Sequence, residues 1–340
     1  MSYQVLARKW RPQSFQDMVG QSHVLTVLKN ALDSDRLHHA YLFTGTRGVG
    51  KTTLARILAK CLNCEKGVTS EPCNSCSACV SINEGRFVDL IEVDAASRAK
   101  VEETRELMDN VQYAPSSGRF KVYLIDEVHM FSNHSFNALL KTLEEPPPHV
   151  KFLLATTEPK KLPITILSRC LQFNLKHLTR NQISEQLQKI LKEEKIPTDD
   201  VSLRLIASSA DGSMRDALSL LDQTIAFGSG ELRESQVREM LGTIDSENIA
   251  LLLEALATAD PEKLFQAINT MDEHNPDYDA VMAELLSDLH DIAVIQAIGS
   301  QIDILKPELV EFAERFDKED VQLYYQIALN GRRDLHISPE

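Results

Sequence analysis

Residues 40–60 read AYLFTGTRGVGKTTLARILAK, and this stretch decides the fold. It opens on a short apolar run and closes on a helical pattern, with a glycine-rich turn between them. That turn, Gly45-Thr46-Arg47-Gly48-Val49-Gly50-Lys51-Thr52, satisfies G-x-x-x-x-G-K-[ST] at every fixed position. Its glycines let the backbone fold around a phosphate with N–H groups pointing inward. Lys51 is placed to reach β and γ phosphates, and the Thr52 hydroxyl to ligate Mg²⁺. The helix that begins there, with Thr53 in its first turn, presents its N-terminus to the same anion. An ordinary glycine turn needs no strand before it and no helix after it, so the context favours a nucleotide-phosphate site.

Working outward, four more short apolar runs follow: VDLIEVDA (88–95), KVYLIDE (121–127), KFLLATT (151–157) and CLQFNL (170–175). Near-continuous apolarity predicts strands covered on both faces. The helical stretches KTTLARILAKCLN, KVEETRELMDNV and SFNALLKTLEE alternate with them. Such alternation predicts an α/β fold, a five-stranded parallel sheet with helices on both faces. After Leu178 the strand signal stops, and Thr179 is placed to cap the helix that follows. Asp211-Gly212 breaks the next pattern, and from residue 243 the chain is helical and acidic. The expected organisation is a nucleotide-binding domain over 1–178, a small helical lid over 179–242 and a further helical domain over 243–340.

The third strand ends in Leu124-Ile125-Asp126-Glu127, an apolar run that delivers two acids. Asp126 would hold Mg²⁺ through water, and Glu127 would polarise an attacking water. A small-molecule kinase does not need that glutamate, so hydrolysis is favoured over transfer to a metabolite. KFLLATT ends in Thr156-Thr157, where the sheet's C-terminal edge should meet the γ-phosphate. Two arginines, Arg169 in LSRC and Arg215 in GSMRD, read on their own as surface ion pairs; the surrounding constellation gives them functional weight.

Composition bounds the class. The chain has 340 residues, 43% hydrophobic and 25% charged, as in ordinary globular proteins. No apolar run approaches the ~20 residues of a membrane-spanning helix. The basic N-terminus lacks the apolar core of a secretory signal, so a cytoplasmic protein without membrane contact is expected. A net charge of -14 argues against nucleic acid only superficially. Residues 1–60 carry nine Lys/Arg against three Asp, whereas residues 243–340 carry six Lys/Arg against twenty-one Asp/Glu. A local anion-binding surface therefore belongs in the first part and not in the last.

Five of the six cysteines fall in CLNCEKGVTSEPCNSCSACV (61–80). Cys64, Cys73, Cys76 and Cys79 give C-x8-C-x2-C-x2-C, four thiolates that would close the tetrahedral shell of a structural Zn²⁺. Glu71-Pro72 and Asn74-Ser75 supply turn chemistry for such a knuckle. Cys61 also forms a C-x2-C pair, but it continues the phosphate-loop helix and reads as a packed thiol. Disulfides and redox switching are the alternatives, and a cytosolic chain has little use for disulfides.

Taken in order, YQVLARKWRPQSFQDMVGQ, GTRGVGKTT, GRFVDLIEVDAASR, KVYLIDEVHM, HSFNALLKTLEEPP, LLATTEP, ILSRC and GSMRDALSLLDQ resemble an AAA+ ATPase. More narrowly, they resemble the gamma/tau family of the bacterial DNA polymerase III clamp loader, densely over residues 1 to about 245. The resemblance implies an ATP-hydrolysing motor that opens a sliding clamp and loads it on primed DNA. Alternatives are another AAA+ DNA remodeller, such as a Holliday-junction motor, or a non-hydrolysing clamp-loader subunit; the intact Lys51, Thr52, Asp126 and Glu127 disfavour the latter. By resemblance, Thr157 is the sensor of the γ-phosphate, Arg215 the lid sensor, and Arg169 an arginine finger acting on the neighbouring subunit's ATP. Arg11, Pro12 and Val19 correspond to the adenine wall, with Met214 packing on the base. The family's zinc module matches Cys64, Cys73, Cys76 and Cys79 and omits Cys61. Implied partners are homologous copies and delta- and delta-prime-type subunits in a hetero-pentamer, the clamp, and primer–template DNA held through its phosphates by Arg98, Lys100, Arg105 and Lys141. The family's last domain is a helical collar that usually continues past the position of Glu340, which implies an incomplete collar here.

Overall fold

A computed structural model describes residues 5–97, 110–228, 230–241, 246–272, 277–299 and 309–335. Among them are five strands: β1 (Ala40–Thr44), β2 (Leu90–Asp94), β3 (Lys121–Asp126), β4 (Val150–Thr156) and β5 (Leu171–Asn174). All pair in parallel, in the order β2-β3-β4-β1-β5. Parallel neighbours require crossovers, which the intervening helices supply.

Residue alternation along the central strands explains how both faces are covered. Tyr41, Phe43, Val122, Leu124 and Leu153 join a core with Leu28, Leu54, Ile57 and Leu58, residues of helices Ser22–Asp33 and Lys51–Asn63. Ala40, Leu42, Tyr123, Ile125, Phe152 and Leu154 face the opposite way, onto Phe136, Leu139 and Leu143 of helix Asn133–Glu144. β1 and β4 are buried throughout, as their apolar sequences predict. The edge strands differ: β5 is buried only at Phe173, with Leu171 39% exposed. Its apolar sequence does not reveal that it lies at a rim.

The first three helices after β5 follow sequence signals closely. Thr179 and Gln182 form a capping box at the start of Arg180–Glu194. Asp199 caps Asp200–Ser209, and Ser213 caps Met214–Phe227. The N-terminal segment lies on these helices. The Leu6 backbone N–H donates to Asp222 Oδ2 at 2.8 Å, and Trp10 Nε1 to Glu194 Oε1 at 2.8 Å.

The described chain divides into two compact units, Met1–Arg233 and Glu234–Glu340. The first joins the sheet with the helices through Phe227, and helix Glu234–Leu241 falls in the second. The second unit is helical, centred on Tyr278–Ile298 packed against Leu309–Arg315 and Lys318–Leu335. Leu285, Leu289, Ile292, Phe312, Phe316 and Val321 fill its core. Gln296 Nε2 donates to the carbonyls of Ala313 and Phe316, satisfying the end of a short helix. Arg315 and Glu254 form a two-pronged ion pair, both prongs at 2.6 Å. No described helix is long and apolar enough to cross a membrane.

One buried acid holds the approach to β3. Asp89 is 2% exposed and accepts from the N–H groups of Ser116, Ser117 and Gly118 at 2.6–2.7 Å. Burial alone would raise its pKa, but these donors outweigh it and hold the carboxyl below its usual range. A depressed carboxyl contributes stability above its unfolded pKa and loses it as pH falls through the folded one. Asp89→Asn should therefore cost about 1–3 kcal/mol at pH 7. In urea titrations the deficit should shrink as pH falls below about 4, where the unfolded chain's carboxyl takes up a proton that the folded one still refuses.

Candidate nucleotide and metal sites

β1 ends at Thr44, and the glycine turn carries the chain directly into helix Lys51–Asn63. Gly45, Gly48 and Gly50 have φ of 142°, 78° and 101°, the left-handed region that permits the loop's curl. Thr46 and Arg47 are exposed and Val49 is buried. Lys51 is buried too; its Nζ donates to the carbonyls of Gly45 at 2.8 Å and Thr46 at 2.7 Å. Burial lowers its pKa, and Glu127 and Asp126 pull against that lowering.

The strand order brings the acids to this loop. β4 lies between β1 and β3, so the ends of all three strands share one edge of the sheet. Thr52 Oγ1 donates to Asp126 Oδ2 at 2.6 Å. Asp126 Oδ1 accepts from the Glu127 N–H at 3.0 Å. Glu127 is left-handed, with φ 48°, and its Oε2 accepts from Thr157 twice: the N–H at 3.1 Å and Oγ1 at 2.9 Å. Thr157 thus grips the carboxylate expected to polarise water.

Sequence reasoning missed His129. It is nearly buried, with Nδ1 2.9 Å from Thr156 Oγ1 and 3.4 Å from Glu127 Oε2, and Nε2 3.4 Å from Glu158. Its spacing two residues past Glu127 gives no signal, because a one-turn helix at Val128–Met130 swings it back to β4.

The helical segment past β5 reaches the phosphate loop. A Cβ on Gly48 would stand 1.8 Å from Ser213 Oγ and 3.4 Å from Arg215 Cβ. Arg215 is exposed, and Met214 beside it is half-buried. On the other side, a Cβ on Gly50 would lie 3.1 Å from Met18 Cε. Arg11, Pro12 and Val19 are half-buried in the same segment as Met18. Burial lowers the Arg11 pKa, helped by the positive charges of Arg56, Arg215 and Arg8 and opposed by Glu92. Arg169 is half-exposed and pairs with Glu144 at 2.7 Å. Lys141 is exposed on helix Asn133–Glu144; Arg98, Lys100 and Arg105 lie outside the described residues.

The cysteines fit a metal. The Sγ atoms of Cys64, Cys73, Cys76 and Cys79 all lie within 4.8 Å of one another. Thiolates at ~2.3 Å from a tetrahedral ion stand just under 4 Å apart, so the set needs only a small contraction. Backbone N–H groups already point at the sulfurs: Cys73 to Cys64, Cys76 to Cys73 and Cys79 to Cys76, at 3.3–3.5 Å. Hydrogen bonds from Ser75 and Cys76 bring the Cys73 thiol down to about 6. Cys61 stands apart, fully buried with Sγ 3.9 Å from the Ser70 carbonyl, its thiol pushed up by burial.

Sheet order, phosphate loop and acid pair define a phosphate-loop protein of the AAA+ fold. The Thermotoga maritima RuvB Holliday junction branch migration motor shares that fold at a TM-score of 0.52 and 19% identity, over 73% of this chain and 79% of the other. Family models match in sequence: DNA polymerase III, delta subunit, over residues 20–179; the DNA polymerase III clamp loader subunit ATPase lid domain over 182–230; and DNA polymerase III subunits gamma and tau domain III over 232–340. The DNA polymerase III subunit gamma of Buchnera aphidicola subsp. Acyrthosiphon pisum is 47% identical, covering 100% of this chain and 95% of its own. The tau subunit of Escherichia coli (strain K12) is 58% identical over 100% of this chain and 54% of its own. This chain therefore spans about half the length of its tau relatives. It belongs to the gamma/tau family of DNA polymerase III subunits.

The contact at Gly48 is directly testable. Gly48→Ala both strains a left-handed backbone and drives a methyl into Ser213, so unfolding free energy should fall by about 1–3 kcal/mol. Adding Ser213→Gly should recover the steric share but not the backbone share, as read by urea denaturation.

Proposed function

We propose that this chain is the ATP-hydrolysing motor subunit of a bacterial replicative clamp loader. The observation that carries the reading is the convergence of Lys51, Thr52, Asp126 and Glu127 at one sheet edge, with Thr157 holding Glu127. In this reading residues 45–53 cradle the triphosphate, and Lys51 exchanges two backbone carbonyls for phosphate oxygens. Bound Mg²⁺, held by Thr52 and through water by Asp126, would neutralise charge on the β and γ oxygens. Glu127 orients the attacking water and takes its proton. Thr157 sets the direction in which that carboxylate points, and by the family resemblance it also senses the γ-phosphate. Arg11, Pro12, Val19 and Met214 wall the adenine, and Arg215, whose Cβ adjoins Gly48, reports nucleotide state to the lid over 179–242.

Arg169 is the finger offered to a neighbouring subunit, and its pairing with Glu144 keeps it oriented until assembly. Residues 243–340 form the collar, and Cys64, Cys73, Cys76 and Cys79 hold a structural Zn²⁺. Partners are homologous copies with delta- and delta-prime-type subunits, a sliding clamp, and primer–template DNA bound through phosphates. Lys141, with Arg98, Lys100 and Arg105, supplies those contacts, so binding is sequence-independent and weakens with salt.

The test is ATP turnover by the assembled complex with clamp and primed DNA present together. Stimulation by the pair is expected, and its absence would sink the clamp-loader reading. Arg169→Ala should leave nucleotide affinity intact yet cut turnover at the adjacent site by roughly 10³-fold or more. Thr157→Val keeps the backbone N–H bond to Glu127 and loses the hydroxyl one. It should lower kcat about 10-fold with little change in KM.

A further inference from the structure

Lys60 lies on the last turns of the phosphate-loop helix and is 1% exposed. A buried ammonium needs a partner for each proton. Its Nζ donates to the Gln13 carbonyl at 2.5 Å, to Gln13 Oε1 at 3.3 Å and to Asn74 Oδ1 at 2.8 Å. Two of these acceptors belong to the N-terminal segment, and the third sits between Cys73 and Cys76 in the knuckle. None is a carboxylate. Four thiolates around one divalent ion would leave net negative charge, and of these three acceptors Asn74 is the one within the knuckle.

The segment beyond Gln13 is tied by local hydrogen bonds and one core side chain. Asp17 Oδ2 accepts from the N–H and Oγ of Ser14, both at 2.8 Å, and from the Gln13 N–H at 3.2 Å. Phe15 is 2% exposed in the core. The next residue but two, Met18, abuts Gly50 of the phosphate loop. A second tie runs alongside, Gln16 Nε2 donating to Glu71 Oε1 at 3.0 Å. These bonds and the buried Phe15 link Gln13 to Met18 over five residues.

We infer that Lys60 and Asn74 are positioning residues that couple the cysteine knuckle to the segment Arg11–Val19, so that an intact knuckle sets the affinity of the nucleotide site. The inference rests on nucleotide binding at the phosphate loop, as proposed above. The knuckle then has a role inside its own subunit, in addition to any surface it offers outside. Without the Asn74 acceptor, Lys60 must find water or pull Gln13 toward solvent, and either loosens the wall against which nucleotide packs.

Asn74 has φ 56°, a conformation glycine adopts freely, so Asn74→Gly removes the acceptor and spares the backbone. Binding of Mg-ADP to the purified 340-residue chain should weaken roughly 3- to 10-fold. Zinc content should stay at that of the wild type, and amide exchange over residues 13–19 should quicken. Asn74→Asp, which keeps an acceptor for Lys60, should restore affinity. Wild-type affinity in Asn74→Gly, or failure of Asn74→Asp to rescue, would overturn the inference. If Asn74→Gly sheds zinc, Lys60→Met decides: weaker binding with zinc retained supports the coupling, and unchanged binding ends it. Failure of the wild-type chain to bind Mg-ADP would instead remove the nucleotide reading, and this one with it.

Discussion

Thr52 Oγ1 and Asp126 Oδ2 meet at 2.6 Å across a gap that the sheet's own hydrogen bonds do not close. β4 separates β1 from β3, so loop and acid belong to strands that never pair. Their contact exists because Ala40, Leu42, Tyr123, Ile125, Phe152 and Leu154 pack into one continuous layer under helix Asn133–Glu144. That layer fixes the spacing of three strand ends, and everything at the sheet edge inherits its register. Thr156 and Thr157 then fall between loop and acid, where a side chain can answer to both.

Residues whose identity is dictated by backbone geometry or ligand chemistry were legible in sequence. The loop glycines are such residues, since only glycine takes φ near 100° without strain. The four-cysteine cluster is another, because its members are local in sequence and their spacing is the geometry. Strand existence was legible as well, but strand position was not: CLQFNL looks as apolar as a central strand yet runs along a rim. Polar contacts between elements were opaque. Nothing in DEVHM announces that His129 returns to Thr156, or that Glu127 rests against Thr157 thirty positions later. Lys60 reads as an ordinary helix lysine, and its burial follows only once residues 13 and 74 are folded around it. Such contacts depend on loop paths, which local periodicity does not encode.

The N-terminal segment ties the first unit together. Residues 6–18 touch the helices beyond β5 through Asp222 and Glu194, the knuckle through Glu71, and the phosphate loop through Met18. Glu194 is drawn below its usual range by Lys9 first and Trp10 after it, but Lys9 is half-exposed, so that pair adds little stability. The contribution of these ties is geometric. They make one stretch of chain a common boundary of the helices beyond β5, the knuckle and the phosphate loop.

Glu127 pays a conformational penalty that glycine or asparagine would avoid. Its left-handed backbone costs of order 1 kcal/mol, offset by the Asp126 and Thr157 hydrogen bonds on either side. Glycine there would relieve the backbone and forfeit both hydrogen bonds from Thr157, so its two effects on stability oppose each other. Heat resistance alone would therefore select only weakly at this position, whereas the hydrolytic role proposed for its carboxylate would hold glutamate there.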